Sequence, residues 1–201
     1  SLANEESITL NSLGGTTGTN FVAALTNGSA TSVTATGARA LSVGAMSSTV
    51  VTAINASAMT GAFIMGTNAG AVASTISGGT GADTLTGGSA ADNISGGAGN
   101  DSISGAAGAD VITGGDGLDT IVGGAVADTL ANGGGADVFT GGAGADTLLS
   151  AGANDIEANL DWLDVQFGRS SRPWKNDLLY PWSFEAWKNT PAAKLDLAKF
   201  P

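Results

Sequence analysis

From residue 83 onward an aspartate returns every nine residues without a slip: Asp83, Asp92, Asp101, Asp110, Asp119, Asp128, Asp137, Asp146 and Asp155. A strict period constrains a chain more than composition does, because a repeated unit needs a repeated structure to occupy. In this register residues 78 to 158 divide into GGTGADTLT, GGSAADNIS, GGAGNDSIS, GAAGADVIT, GGDGLDTIV, GGAVADTLA, NGGGADVFT, GGAGADTLL and a decayed SAGANDIEA. Each unit has a glycine-rich half, an Asp at the sixth place and a short half with one large apolar residue at the eighth. That eighth place is held by Leu85, Ile94, Ile103, Ile112, Ile121, Leu130, Phe139 and Leu148.

The residue types predict the local structure. Glycine at the first, second and often the fourth place permits positive φ and close backbone approach, so the first six residues read as a turn. The last three, an apolar residue flanked mostly by Thr, Ser, Val or Ala, read as a minimal strand. One unit has a single apolar side chain to bury and cannot fold alone, whereas stacked units line a continuous interior with their eighth-place residues. Stacking at a strand spacing of about 4.8 Å also piles the aspartates on one another. Residues 78 to 158 hold eleven acids, the nine in register plus Asp116 and Glu157, and no Lys or Arg. A bound cation is therefore the economical way to neutralise them, and carboxylates with turn carbonyls are the hard oxygen ligands that suit calcium. The chain has no Cys and no His, which makes zinc, copper and iron poor candidates.

These units resemble the G-G-x-G-x-D-x-U-x nonapeptides of the RTX (repeats-in-toxin) family, a calcium-binding parallel β-helix repeat. The resemblance covers residues 78 to 158. It implies an all-β parallel β-roll in which two nonapeptides make one turn, so that Asp83, Asp101, Asp119, Asp137 and Asp155 form one column and Asp92, Asp110, Asp128 and Asp146 the opposite one. It further implies calcium held between successive turns by two Asp carboxylates and by carbonyls at Gly79, Gly81, Gly88, Gly97, Gly99, Gly108, Gly115, Gly117, Gly135, Gly142 and Gly144. The gaps within the columns cap the full sites near seven. Ala90 and Val126 depart from glycine at the fourth place, Ala106 at the second and Asn132 at the first. Of these, Val126 tolerates positive φ worst, and Asn132 tolerates it better. Asp116 stands off the column, as an added ligand or as a solvated side chain. Glu157 occupies an apolar place, and the roll is expected to end there. A Gly-, Ala- and Asp-rich segment also fits a flexible linker. Without calcium that state is favoured by repelling aspartates and glycine entropy, while the recurring apolar eighth place argues against permanent disorder.

Residues 1 to 77 carry only Glu5, Glu6 and Arg39 as charges and are rich in Thr, Ser, Ala and Gly. They read as short strands at Ser7 to Leu10, Phe21 to Leu25, Ser32 to Thr36, Ala40 to Val43, Thr49 to Ile54 and Phe63 to Met65, punctuated by Gly and Asn. Such strands feeding into a roll suggest a solenoid that begins before the aspartates do, with residues 69 to 77 as a rung that puts Ile76 at the eighth place and Ser74 in the Asp column. An ordinary β-sandwich is the competing reading. The run VVTAINASAMTGAFIMG, 50 to 66, is similar to the Thr/Ala-rich rungs of RTX-type bacterial surface-layer proteins. Residues 159 to 201 differ in kind: all four Trp, all four Pro, the one Tyr and six of the seven basic residues lie there. Thr190 and Pro191 read as the N-cap and first position of a short helix. The segment suits a mixed cap, a C-terminal secretion signal or a foreign tail.

The net charge of -11 argues against a nucleic-acid partner. No stretch is long enough to cross a bilayer and no basic region precedes an apolar run, so no membrane insertion and no signal peptide are expected, and a start at Ser1 reads as a fragment or a processed form. No His, Cys, nucleophile elbow or phosphate loop is present, and Asp pairs that could act as acid and base all belong to a periodic column, so no enzyme is expected. Two classes remain. One is a calcium-ordered extracellular structural protein of a bacterial surface layer or filament, secreted, self-associating and open to a cell-surface polysaccharide. The other is the RTX accessory module of a larger type I secreted toxin, protease or epimerase.

Overall fold

The computed structural model describes residues 7–13, 18–25, 30–46, 51–68, 70–149 and 156–158. Every regular element among them is a β-strand. The first six are β1 (Ser7–Ser12), β2 (Asn20–Val22), β3 (Ser32–Gly37), β4 (Leu41–Met46), β5 (Ala53–Met59) and β6 (Phe63–Asn68). Then come β7 (Thr75–Ser77), β8 (Thr84–Thr86), β9 (Asn93–Ala98), β10 (Ser102–Ala107), β11 (Val111–Asp116), β12 (Thr120–Ala125), β13 (Thr129–Gly134), β14 (Val138–Ala143), β15 (Thr147–Leu149) and β16 (Ile156–Ala158).

The odd-numbered strands form one eight-stranded parallel sheet in sequence order, and the even-numbered strands form a second. The chain therefore crosses from sheet to sheet after every strand, which is a β-solenoid of two faces. From β7 onward neighbours within a sheet are eighteen residues apart, as Ile76↔Ile94, Ile94↔Ile112 and Ile112↔Leu130 show on one face and Leu85↔Ile103, Ile103↔Ile121 and Ile121↔Phe139 on the other. Two nonapeptides make each turn, as the repeat resemblance implies. The same two sheets continue through β1 to β6, where a turn takes twenty-one to twenty-five residues, as in Val33↔Ile54, Leu41↔Phe63 and Ile8↔Val33. The sandwich alternative is thereby set aside.

The core runs along the axis between the sheets and changes calibre. In the first half β4, β5 and β6 each bury two or three apolar side chains: Leu41, Val43 and Met46; Ile54, Ala56 and Met59; Phe63 and Met65. From β7 to β14 each strand buries one, and Ile94, Ile112, Ile121, Leu130 and Phe139 are fully enclosed. A buried Ile contributes about 2 kcal/mol, whereas fixing nine backbones costs on the order of 1 kcal/mol each, so a nonapeptide gains order only from its neighbours.

Two expectations are corrected. The strand read at Thr49 to Ile54 begins at Ala53 instead, because its register against β3 and β7 is set by Ile54 and the β-favouring Val51 is buried ahead of it. The strands from β9 to β14 are also longer than the last three places of a unit. They run on through the first three places of the next, because the glycine-rich half still pairs with its neighbour, as Gly97↔Gly115↔Gly133 do. The expected cap in residues 159 to 201 lies outside the described residues.

Candidate metal centre

Each aspartate follows a glycine-rich turn and precedes a strand, so the eighteen-residue turn brings every second one to the same edge. The structure shows this as a direct bond. Asp101 Oδ1 accepts the Asp83 N–H at 2.8 Å, Asp119 Oδ1 that of Asp101 at 2.8 Å, and Asp137 Oδ1 that of Asp119 at 2.7 Å. On the opposite edge Asp110, Asp128 and Asp146 accept from Asp92, Asp110 and Asp128 in the same way. Each column is headed by an uncharged residue. Phe63 N–H donates to Asp83, and Ser74 N–H donates to Asp92, so Ser74 stands in the column where the sequence places it. Asp155 lies outside the described residues.

The column aspartates from Asp83 to Asp137 are buried, and Asp146 is half-buried. One oxygen of each is absorbed by the ladder. The other is not: Oδ2 of Asp101, Asp110, Asp119, Asp128 and Asp146 is buried with no hydrogen-bond partner. A carboxylate oxygen held away from water without a donor is costly, and burial accordingly pushes Asp101 and Asp110 up to about 6, opposed by the backbone bond each accepts and assisted by the neighbouring column charges. Asp83, Asp119 and Asp128 are raised for the same first reason. Arg39 is the one basic residue among the described residues, and it reaches the Gly18 carbonyl in the first turns.

Beside Asp101, Asp110, Asp119, Asp128 and Asp146 the space at Oδ2 is kept open by the first-place glycine, whereas the unit of Asp137 has Asn132 at that place. A Cβ on Gly96 would overlap both Asp101 Oδ2 and the Gly114 carbonyl oxygen, and one on Gly105 would overlap Asp110 Oδ2 and the Gly123 carbonyl. Gly114 and Gly123 stand in the same relation to Asp119 with Asn132 O, and to Asp128 with Gly141 O. The strand pairing skips this residue, passing from Ser95↔Thr113 to Gly97↔Gly115, which frees its peptide to face the carboxylate. Sequence reasoning concentrated on the second and fourth places and missed these first-place carbonyls, although glycine fills that place in all but two units.

The second-place and fourth-place glycines have a use that involves no cation. Gly97, Gly99, Gly108, Gly115, Gly117, Gly135, Gly142 and Gly144 all have positive φ. A Cβ on any of them would also strike backbone of the turn before, as one on Gly115 would strike the Gly97 carbonyl. The Gly79 and Gly88 carbonyls accept ladder bonds from Ala98 and Ala107. Gly81 lies against the following turn at Gly99. Asp116 is exposed and close enough to Asp119 to raise it.

Among the described residues no three carboxylates converge on a point. A cation between turns would thus take its ligands from carboxylates of one column and from carbonyls, a donor set of hard oxygens that suits calcium. Orphaned oxygens, open glycine cradles and accumulated negative charge fit that ion. A family model described as the RTX calcium-binding nonapeptide repeat (four copies) matches residues 69–103, 95–130 and 132–157. No curated protein and no solved structure matches the chain.

Proposed function

Because residues 69 to 157 carry RTX calcium-binding nonapeptide repeats that bind calcium and form a β-solenoid, we propose that the chain is an extracellular structural solenoid of a bacterial surface layer or filament. In this reading Asp101, Asp119 and Asp137 on one edge, and Asp110, Asp128 and Asp146 on the other, hold calcium with the first-place carbonyls beside them. Calcium supplies the positive charge that the columns lack, so its binding energy becomes folding energy. Where calcium is scarce the carboxylates repel and the glycine-rich chain stays open; where it is millimolar the turns close. That difference suits export before folding and a working form outside the cell.

The observation that carries the structural reading is continuity. β6 pairs with β8 and β7 with β9, so the small-residue rungs and the calcium rungs form one uninterrupted stack rather than two joined bodies. The columns have no catalytic role in this reading, since every described column aspartate spends Oδ1 on the ladder. Negative-stain electron microscopy of the purified chain in excess calcium, beside a chelated sample, tests it. Sheets or filaments that form only with calcium are expected. Dispersed particles in both samples would point instead to the accessory module of a larger secreted protein.

A further inference from the structure

The columns contain two kinds of turn. In the first two, Asp83 Oδ2 accepts the Gly79 N–H at 2.7 Å and Asp92 Oδ2 accepts the Gly88 N–H at 2.6 Å. In the later turns of Asp101, Asp110, Asp119, Asp128 and Asp146 Oδ2 has no donor. The backbone changes at the same boundary. Positive φ is found at the second and fourth places of each unit from Gly97 and Gly99 to Gly142 and Gly144, including Ala106 and Val126, and at none of Gly79, Gly81, Gly88 and Ala90. The strand lengths change with it: β7 and β8 have three residues, while β9 to β14 have six. Turns of the first kind satisfy their carboxylate from their own backbone. Turns of the second kind present it unsatisfied.

We infer that strands β3 to β8, with the turns of Asp83 and Asp92, fold without calcium and act as the template on which the calcium roll is laid, with Asp83 and Asp92 as positioning residues rather than calcium ligands. This rests on the reading that the later repeats bind calcium. Each aspartate of the first two turns has four protein contacts to place it, two of them on the carboxylate: Asp83 takes Phe63 N–H and Gly79 N–H on its side chain, and its backbone N–H and carbonyl meet Asp101 Oδ1 and Ser102 N–H. Asp92 does the same with Ser74, Gly88, Asp110 and Val111. The rungs beneath them bury two or three apolar side chains per strand where the repeats bury one, with Met46, Ile54, Met59, Phe63 and Met65 at the wide end of a core that runs on to Phe139. A charge-poor seed with a real core therefore offers the first repeat strands β9 and β10 a finished edge in the right register. Calcium is needed from the turn at Gly96 onward, and order spreads from there toward the C-terminus, since a solenoid turn contacts only its neighbours.

Hydrogen exchange read by mass spectrometry on the full chain, with chelator and with millimolar calcium, tests this. Slow exchange of β5 to β8 amides in both conditions, with β10 to β14 slow only in calcium, is the expected result. If β5 to β8 lose protection in chelator along with β10 to β14, the template is overturned while calcium-driven folding stands. If calcium changes nothing anywhere, both fail. Calorimetric stoichiometry gives a second readout. Asp83→Asn keeps an oxygen for Phe63 N–H and is expected to bind as many calcium ions as the parent chain, whereas Asp119→Asn binds fewer. An equal loss in both would assign Asp83 to the metal and overturn the inference.

Discussion

An aspartate in this roll is a carboxylate with one oxygen in a backbone ladder and the other waiting for a cation. Burial raises Asp101 and Asp110 from the usual 3.8 to about 6, so in the absence of calcium the folded turns hold protons more tightly than the open chain does. Stability without calcium is then greatest below about 4 and declines as the pH rises through 6. A chelated sample should gain β-structure by circular dichroism on acidification from pH 7 to about 4.5. Protons compete for the same oxygens, so the calcium midpoint should rise as the pH falls across that window. A second residue-scale test concerns Val126, which sits at φ 68 with its side chain 55% exposed. A β-branched residue in that region is strained, and little packing is lost when it is trimmed. Val126→Gly should stabilise the calcium form by about 1 kcal/mol, read from thermal or denaturant unfolding. The Asp columns and the poor fit of Val126 were legible in the sequence because both follow from the nine-residue count and from side-chain shape. Which oxygen of each carboxylate stays free was not, since that depends on where the second-place N–H points.

At the scale of the strand and its turn, each unit has one apolar anchor and one cradle, and each can be removed alone. Ile112 is fully enclosed between Ile94 and Leu130, so Ile112→Ala should cost about 3 kcal/mol in the calcium form, measured by denaturant unfolding. Gly96→Ala would drive a methyl into Asp101 Oδ2 and the Gly114 carbonyl. It should remove bound calcium at that turn, seen as a lower calorimetric stoichiometry, and cost about 1–3 kcal/mol in overpacking. The eighth-place anchors were legible as a simple period. The six-residue strands were not, because glycine has low strand propensity and only the neighbour eighteen residues away holds places one to three in the ladder. The misplaced start of β5 has a like cause. Thr49 to Thr52 favour extended structure by composition, but the register of Ile54 decides where pairing begins.

Along the whole molecule the two sheets make a stack in which each turn is stabilised by the next, so damage at one level is felt by its neighbours. Replacing Asp101 and Asp119 together with Asn removes two successive carboxylates from one column. The calcium midpoint of folding, followed by circular dichroism, should rise several-fold; an unchanged midpoint would contradict a columnar array. The continuation of the solenoid into residues 7 to 68 was only half legible, since Thr, Ser and Ala strands suit a sandwich as well, and the longer turns there leave no fixed period to count.

The crossing of the chain from one sheet to the other after every strand has a consequence for how such a molecule can change in length. A single nonapeptide is half a circuit. Its loss or gain would send every later strand to the opposite face, exchange the two Asp edges and turn the downstream surface through half a revolution. Two nonapeptides form a closed circuit and leave everything beyond them facing as before. Parity therefore governs the repeat count: the roll can lengthen or shorten by eighteen residues and keep its outer face, but not by nine.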